Sequence, residues 1–284
     1  MTGLDDLFYP DNSNRKKRVE QLMSQCADLT NEIADNKIKI DELLQMVSET
    51  VRNEYKNIGI KNIEYEKINI APDWYVTLPK TISLGVFATW ATKSMKILAD
   101  KIFIAYLLKQ GRIGEAAFSK LVGLPKWFKF GGTAGSAVGG LVITVAIEAV
   151  IDAIIGANVR DKLQNAIKVL AKPRIELLYT KLLSDYAKDV LTGIKTQIEL
   201  HSETLRESGI VLDEKQLKAL INGVSEKVVE TMEKLNKKPT RKTALEEFQK
   251  KDKFLNAWTI EDPSNEEFKK IVEELEEANK KQNI

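Results

Sequence analysis

From Val19 the apolar residues fall in steps of three and four: Val19, Leu22, Cys26, Leu29 and Ile33, then Asn36, then Ile40, Leu43 and Val47. Such steps put side chains on one face of a helix, and their persistence makes a heptad seam for a second helix to cover. After Val47 the spacing becomes Val51, Tyr55, Ile58, an extra four-step that locally unwinds a supercoil. No proline or glycine interrupts residues 11–58. The pattern predicts one helix over 14–58, about 68 Å long. Asn36, the one polar member, reads as a register-setting residue, and Cys26 as a small residue of the seam.

The period fails over 59–80, where Ile63, Tyr65 and Ile70 suggest extended chain and Pro72 and Pro79 bracket Trp74 and Tyr75. This reads as a connector with a short strand. Residues 81–92 carry no charge and run into an amphipathic stretch with Lys93, Lys96 and Asp100 on one face, so that 81–110 reads as one helix. Gly111, Gly114, Gly123 and Pro125 punctuate a turn region over 111–130. Residues 141–208 again read as helix, kinked at Pro173, with an apolar stripe through Ile175, Leu178, Leu182, Tyr186, Ile194, Ile198, His201 and Leu205. Gly209 is the expected stop. Two shorter helices follow, Asp213 to Lys237 and Ser264 to about Lys280, each opened by a capping box, Asp213 with Gln216 and Ser264 with Glu267. Between them, 236–243 reads as a basic linker, and the last helix as solvated on most faces.

These elements predict an all-α fold: an elongated bundle of long helices with a central hydrophobic helical hairpin and a short polar C-terminal helical extension. Residues 14–58 and 158–208 would form the rod, 81–157 the hairpin or head, and 209–284 the C-terminal helices.

Charge and composition narrow the chemistry. With 43 basic and 41 acidic residues in 284, the charge balance gives no general case for nucleic acid, and none is expected as a partner. One cysteine and one histidine exclude an intrachain disulfide and leave almost nothing for a zinc site or a histidine-based triad. No P-loop, no G-x-G-x-x-G after a strand, no H-E-x-x-H and no C-x-x-C is present. The reading is of a protein that is not an enzyme and needs no metal or cofactor. The basic runs NRKKR and NKKPTRKT read as solvated. The N-terminus has no apolar core of a secretory signal, so the chain is expected to be soluble without a cleavable leader and released, if at all, by another route. His201, on the apolar stripe, would bring a charge into the seam in acid.

Against 30% charged residues overall, Gly131 to Ile147 contains none. Gly131, Gly135 and Gly139 are spaced by four, and Gly132, Ser136 and Gly140 form a second ladder beside them. Such small-residue ladders let helix backbones approach closely. In water, each glycine costs a helix about 1 kcal/mol relative to alanine, so packing or a bilayer must hold the segment. The uncharged run is borderline for a membrane span, which needs about 20 apolar residues. Leu84, Val86, Phe87 and Trp90 in the first bare run, with Val138, Leu141, Val142, Ile143, Val145 and Ile147 in the second, are the candidate membrane-inserting side chains. Lys126, Trp127, Phe128 and Phe130 lie at the bend between the two, where rings and cations suit a headgroup layer. Glu148 and Asp152, four apart and so on one helical face, would line a pore and favour cations. A buried helical hairpin in a soluble core explains the same bare runs.

The order of long heptad helix, hydrophobic hairpin and long helix over residues 14–208 resembles the α-helical pore-forming toxins of the cytolysin A type, with the tripartite enterotoxin components and the Xax-type two-component toxins. The likeness is architectural and rests on no short motif. It implies a soluble form that shelters the hairpin and a membrane form that swings it out and oligomerises. The implied partners are the lipid bilayer of a target cell and either further copies of the chain or a second toxin subunit. The acidic C-terminal helices have no counterpart in that plan, and the chain is short for the family. The alternative is a coiled-coil scaffold or interaction protein with a buried apolar hairpin.

Overall fold

A computed structural model describes residues 11–71, 74–80, 159–236 and 239–282. They form five helices and one β-hairpin: α1 (Asn12–Asn57), β1 (Tyr65–Ala71), β2 (Trp74–Pro79), α2 (Val159–Glu207), α3 (Glu214–Asn236), α4 (Arg241–Phe254) and α5 (Asn265–Gln282). The class is all-α, a bundle built on two helices of 46 and 49 residues, each about 70 Å long.

The helix ends follow from their local chemistry. Gly59 (φ +84°) and Gly209 (φ +70°) close α1 and α2 in the left-handed conformation. In each case a six-to-one bond, Ile60 N–H to Tyr55 O and Ile210 N–H to Leu205 O, completes a Schellman motif. The Asp213–Gln216 and Ser264–Glu267 boxes are both formed, side chain to backbone in each direction. A third box opens α4, from Thr240 and Thr243. The expected linker 236–243 is therefore shorter than its composition suggests, because threonine serves at N3 where glutamate or glutamine is the usual signal. Pro173 lies inside α2, which runs unbroken through it. The connector is a true antiparallel hairpin pairing Tyr65 with Pro79 and Ile68 with Val76, irregular between Asn69 and Ala71. Lys67 Nζ sits 4.1 Å from the Tyr75 ring across the strands.

The chain packs as two compact units, and each long helix contributes its first half to one and its second half to the other. Among the described residues the first unit holds 11–33, 159–181 and 240–282, and the second 34–71, 74–80, 182–236 and 239. The core of the first is Leu22, Met23, Cys26 and Ile33 with Leu163, Ile167, Leu170 and Ile175, capped by Phe248 and Phe268. Those two rings meet at 5.5 Å, tilted by 60°. In the second unit Ile40, Leu44, Val47, Val51 and Tyr55 face Val190, Leu191, Ile194 and Ile198, with Leu217, Ile221 and Val229 of α3.

The seam of α1 is wider than its heptad reading. Met23, Ala27 and Ala34 are buried beside Leu22, Cys26 and Ile33, while Leu29 and Leu43 are half-exposed and Leu44 takes the buried place. Such a face covers more than one neighbour.

Within each unit α1 and α2 run parallel. In the first, Glu32 meets Lys181 at 3.8 Å. In the second, Asn36 meets Ser184, Thr50 meets Glu199, and Glu54 meets Arg206. Helices joined through a tip would run antiparallel; here the chain leaves α1 in one unit and enters α2 in the other.

Candidate functional site

Every residue assigned above to membrane insertion, to the glycine ladders, to the bend and to the pore lining falls within 81–157, outside the described residues. That holds for Leu84 to Trp90, Lys126 to Phe130, Gly131 to Gly140, Leu141 to Ile147, Glu148 and Asp152. The described residues supply the helices on either side of them, two polar centres built into those helices, and a groove.

The first centre is a buried ion cluster in the first unit. Arg18 of α1, whose side chain is wholly buried, bonds Asp252 of α4 at 2.8 Å and also bonds Asp262. Arg174 of α2 reaches the same Asp252 carboxylate through two bonds of 2.7 and 2.8 Å, and its guanidinium lies 4.3 Å from the Phe248 ring. Asp252 thus serves as a bidentate acceptor for two arginines on two helices, the strongest geometry available to a carboxylate. Beside it, Arg15 and Gln164 both bond Glu261, at 2.9 Å. Burial alone would raise Asp252, but the hydrogen bonds from Arg174 and Arg18 outweigh it and hold the carboxyl below its ordinary value. For Asp262 burial wins, and its carboxyl is raised despite Arg18. A few residues away in the same unit, Arg241 at the start of α4 bonds Glu176 at 2.7 and 2.8 Å and stacks 4.5 Å from the Tyr179 ring.

These pairs correct the reading of the basic runs. NRKKR and NKKPTRKT were expected to be solvated, yet Arg15, Arg18 and Arg241 are buried. Their partners lie at separations of 246, 234 and 65 residues, which no local pattern reveals. Arginine rather than lysine at those positions was the available signal, since its planar fork suits buried pairing.

The second centre is Asn36. Its amide nitrogen donates to Ser184 at 2.6 Å and Asp185 at 3.0 Å, and its oxygen accepts from Lys188 at 2.6 Å. A polar residue so fully engaged at one level of the helix pair sets the register between α1 and α2.

The groove, of about 590 Å³, lies between α2 and α3 and is lined by Gly193, Gln197, His201, Leu220, Val224 and Val228 among others. A Cβ on Gly193 would lie 3.0 Å from Val228, so the glycine permits the close approach of the two helices there. His201 was expected inside the apolar seam. It is exposed at the groove, and Ser202 takes the buried position instead.

Cys26 is buried between the helices and burial pushes its thiol up to about 12. It is expected to stay unreacted with a disulfide probe such as Ellman's reagent in the folded chain and to react at once in denaturant. Rapid labelling under native conditions would show that the first unit opens readily.

Among the described residues no group of three or more histidine, cysteine or acidic side chains is placed to hold a metal ion. No helix among them is long and apolar enough to cross a membrane. The polar centres bind helix to helix. The sequence matches no protein-family model, no curated protein and no solved structure.

Proposed function

We propose that the chain is a membrane-permeabilising protein of the α-pore-forming kind, or one component of such a toxin, whose segment 81–157 enters the bilayer and whose copies then assemble. The observation that carries this reading is the uncharged run Gly131–Ile147, with its two small-residue ladders, set in a chain that is otherwise 30% charged. Supporting it, the long helices on either side bury apolar seams of their own and engage polar groups with one another. A bilayer offers those runs an environment that water does not, and that difference in affinity is what would shift the population from a sheltered to an inserted form. Glu148 and Asp152 would then lie along the water-filled side and favour cations.

The test is dye release from vesicles with the unmodified chain, followed together with the fluorescence of a variant in which Trp127 is the only tryptophan. Trp127 emission is expected to shift to the blue before dye appears, since the bend would touch the headgroups first. A chain that leaves both the dye and the Trp127 spectrum unchanged is not a permeabilising protein on its own. Failure to gain activity with any companion subunit would leave the scaffold reading in its place.

A further inference from the structure

One surface loop begins and ends on a single side chain. Asp252, near the end of α4, and Asp262, ten residues on, both bond the Arg18 guanidinium, at 2.8 Å and 3.1 Å. The nine residues between them, KFLNAWTIE, therefore form a compact loop with closed ends, the geometry of an Ω-loop. Its interior is fixed. Asn256 adopts the left-handed conformation (φ +50°), Ala257 N–H bonds Asp252 O at 2.9 Å, and Asp262 N–H bonds Thr259 O at 3.0 Å. Arg15 and Gln164 hold Glu261, and the Arg15 guanidinium lies 5.9 Å from the Trp258 ring.

All these anchors are polar groups turned inward, and the large apolar side chains are left outside. Phe254 is 88% exposed, Ile260 78% and Leu255 48%. Water-facing aromatic and branched residues on a rigid loop are costly unless something covers them. The exposed charges nearest the loop in sequence are three lysines. Lys250, Lys251 and Lys253 are exposed just before and within the loop, while the carboxylates that close it, Glu261 and Asp262, are neutralised by Arg15 and Arg18.

We infer that this loop, 253–261, is a docking site for an anionic lipid bilayer surface. The lysines complement phosphate and serine headgroups. Phe254, Ile260 and Leu255 are placed to reach the acyl boundary. Because Arg18 already holds the loop closed, docking costs little ordering entropy. Nothing has to cross the membrane, so the loop acts whether or not segment 81–157 inserts, and the inference stands independently of the pore reading.

The experiment is co-sedimentation of the full chain with phosphatidylcholine vesicles, with and without phosphatidylserine, each loaded with dye. The parent is expected to bind the anionic vesicles and to lose binding as salt rises. Phe254→Ser with Ile260→Ser should weaken that binding by about tenfold for each side chain removed. Lys250→Glu with Lys253→Glu should cost about fivefold for each lysine removed, and more from the repulsion introduced, and should abolish the preference for phosphatidylserine. Both variants alter exposed side chains, so their thermal unfolding should match the parent's. Binding unchanged in the serine variant overturns the inference, as does a parent that binds neutral and anionic vesicles alike. A parent that dimerises in solution and is made monomeric by Phe254→Ser/Ile260→Ser also overturns it, and assigns the loop to a protein interface. The dye separates the two proposals. Loop-dependent binding without release upholds docking and shows that the chain alone makes no pore; release that the loop variants leave unaltered upholds the pore and overturns docking.

Discussion

Replacing Asp252 with alanine is expected to destabilise the first unit by about 3–5 kcal/mol, which lowers its unfolding midpoint by on the order of 10 °C. The size of the effect comes from what is left behind. Asp252 accepts four hydrogen bonds from Arg18 and Arg174, whose side chains are 0% and 3% exposed. Arg18 keeps its bonds to Asp262, whereas Arg174 loses both of its hydrogen bonds to Asp252 and is left stacked on the Phe248 ring, with the Asp262 charge acting on it only through space. A buried guanidinium without a counter-charge is among the most costly defects a core can carry. As a control, Asp28→Ala removes an exposed carboxylate from α1, the helix that carries Arg18, and should leave the midpoint within experimental scatter. Replacing Arg174 and Asp252 together by apolar residues of similar size should recover much of the loss, because the desolvation of both charges is then removed at once. Equal midpoints for Asp252→Ala and Asp28→Ala, measured by circular dichroism, would show that the cluster contributes nothing beyond packing.

The same carboxylate sets an acid dependence with a definite sign. The two arginines hold Asp252 below its ordinary value of 3.8 in the folded chain, against the opposing effect of burial. The unfolded chain therefore takes up the proton first as pH falls. The stabilisation is complete above the ordinary carboxylate range and is lost on acidifying through it towards the lower folded value. Asp262, raised by burial, acts oppositely: its buried charge costs stability above its folded value, and acid relieves that cost. Asp252→Asn should flatten the loss of stability below pH 4 or so, and Asp262→Asn should steepen it.

Much of the frame could be read from local signals. The helix of α1, the stop at Gly209, the Asp213 and Ser264 caps and the place of Asn36 between the helices all depend on neighbours within a few residues or on the helical period, and each is found where the pattern put it, although the α1 seam takes Leu44 in place of Leu43 and leaves Leu29 half-exposed. What escaped depends on distance or on an unusual local choice. Arg18 gives no sign in its own run of the sequence that its partners lie 234 and 244 residues away. The Thr240 box carries threonine at N3, so α4 was hidden in what looked like a linker. His201 was placed on the stripe with Ile194, Ile198 and Leu205, yet the buried positions continue in steps of four, Val190, Ile194, Ile198 and Ser202, and His201 falls one residue to the side. The parallel run of α1 and α2 has no local signature either. It emerges only when Asn36 and Ser184, Thr50 and Glu199, and Glu54 and Arg206 are found in step. The candidate membrane residues lie in 81–157, and for these the case rests on composition and spacing alone.

That case has a sharp consequence at Gly135. With leucine there, dye release is expected to fall at least tenfold at a protein concentration where the parent empties its vesicles. Gly135 is the middle rung of the ladder Gly131, Gly135, Gly139. In a bilayer, helices gain little from burying apolar surface against one another, since lipid is equally apolar, so assembly depends on close backbone contact across small residues. A leucine on the middle rung would hold neighbouring helices apart, and the assembly step, rather than binding to the vesicle, should fail. Three comparisons isolate that step. Gly135→Ala keeps the rung small and should retain most of the release. Thr133→Leu adds the same apolar bulk off both ladders, so release should persist. Binding of Gly135→Leu to anionic vesicles should equal the parent's, because the loop 253–261 is untouched. Leucine in place of glycine favours helix in water by about 1 kcal/mol, so loss of release could not be ascribed to a weakened helix. If Gly135→Leu and Thr133→Leu release dye alike, the ladder is no assembly face. The glycines then serve some other close contact, and a pore built on them has to be given up.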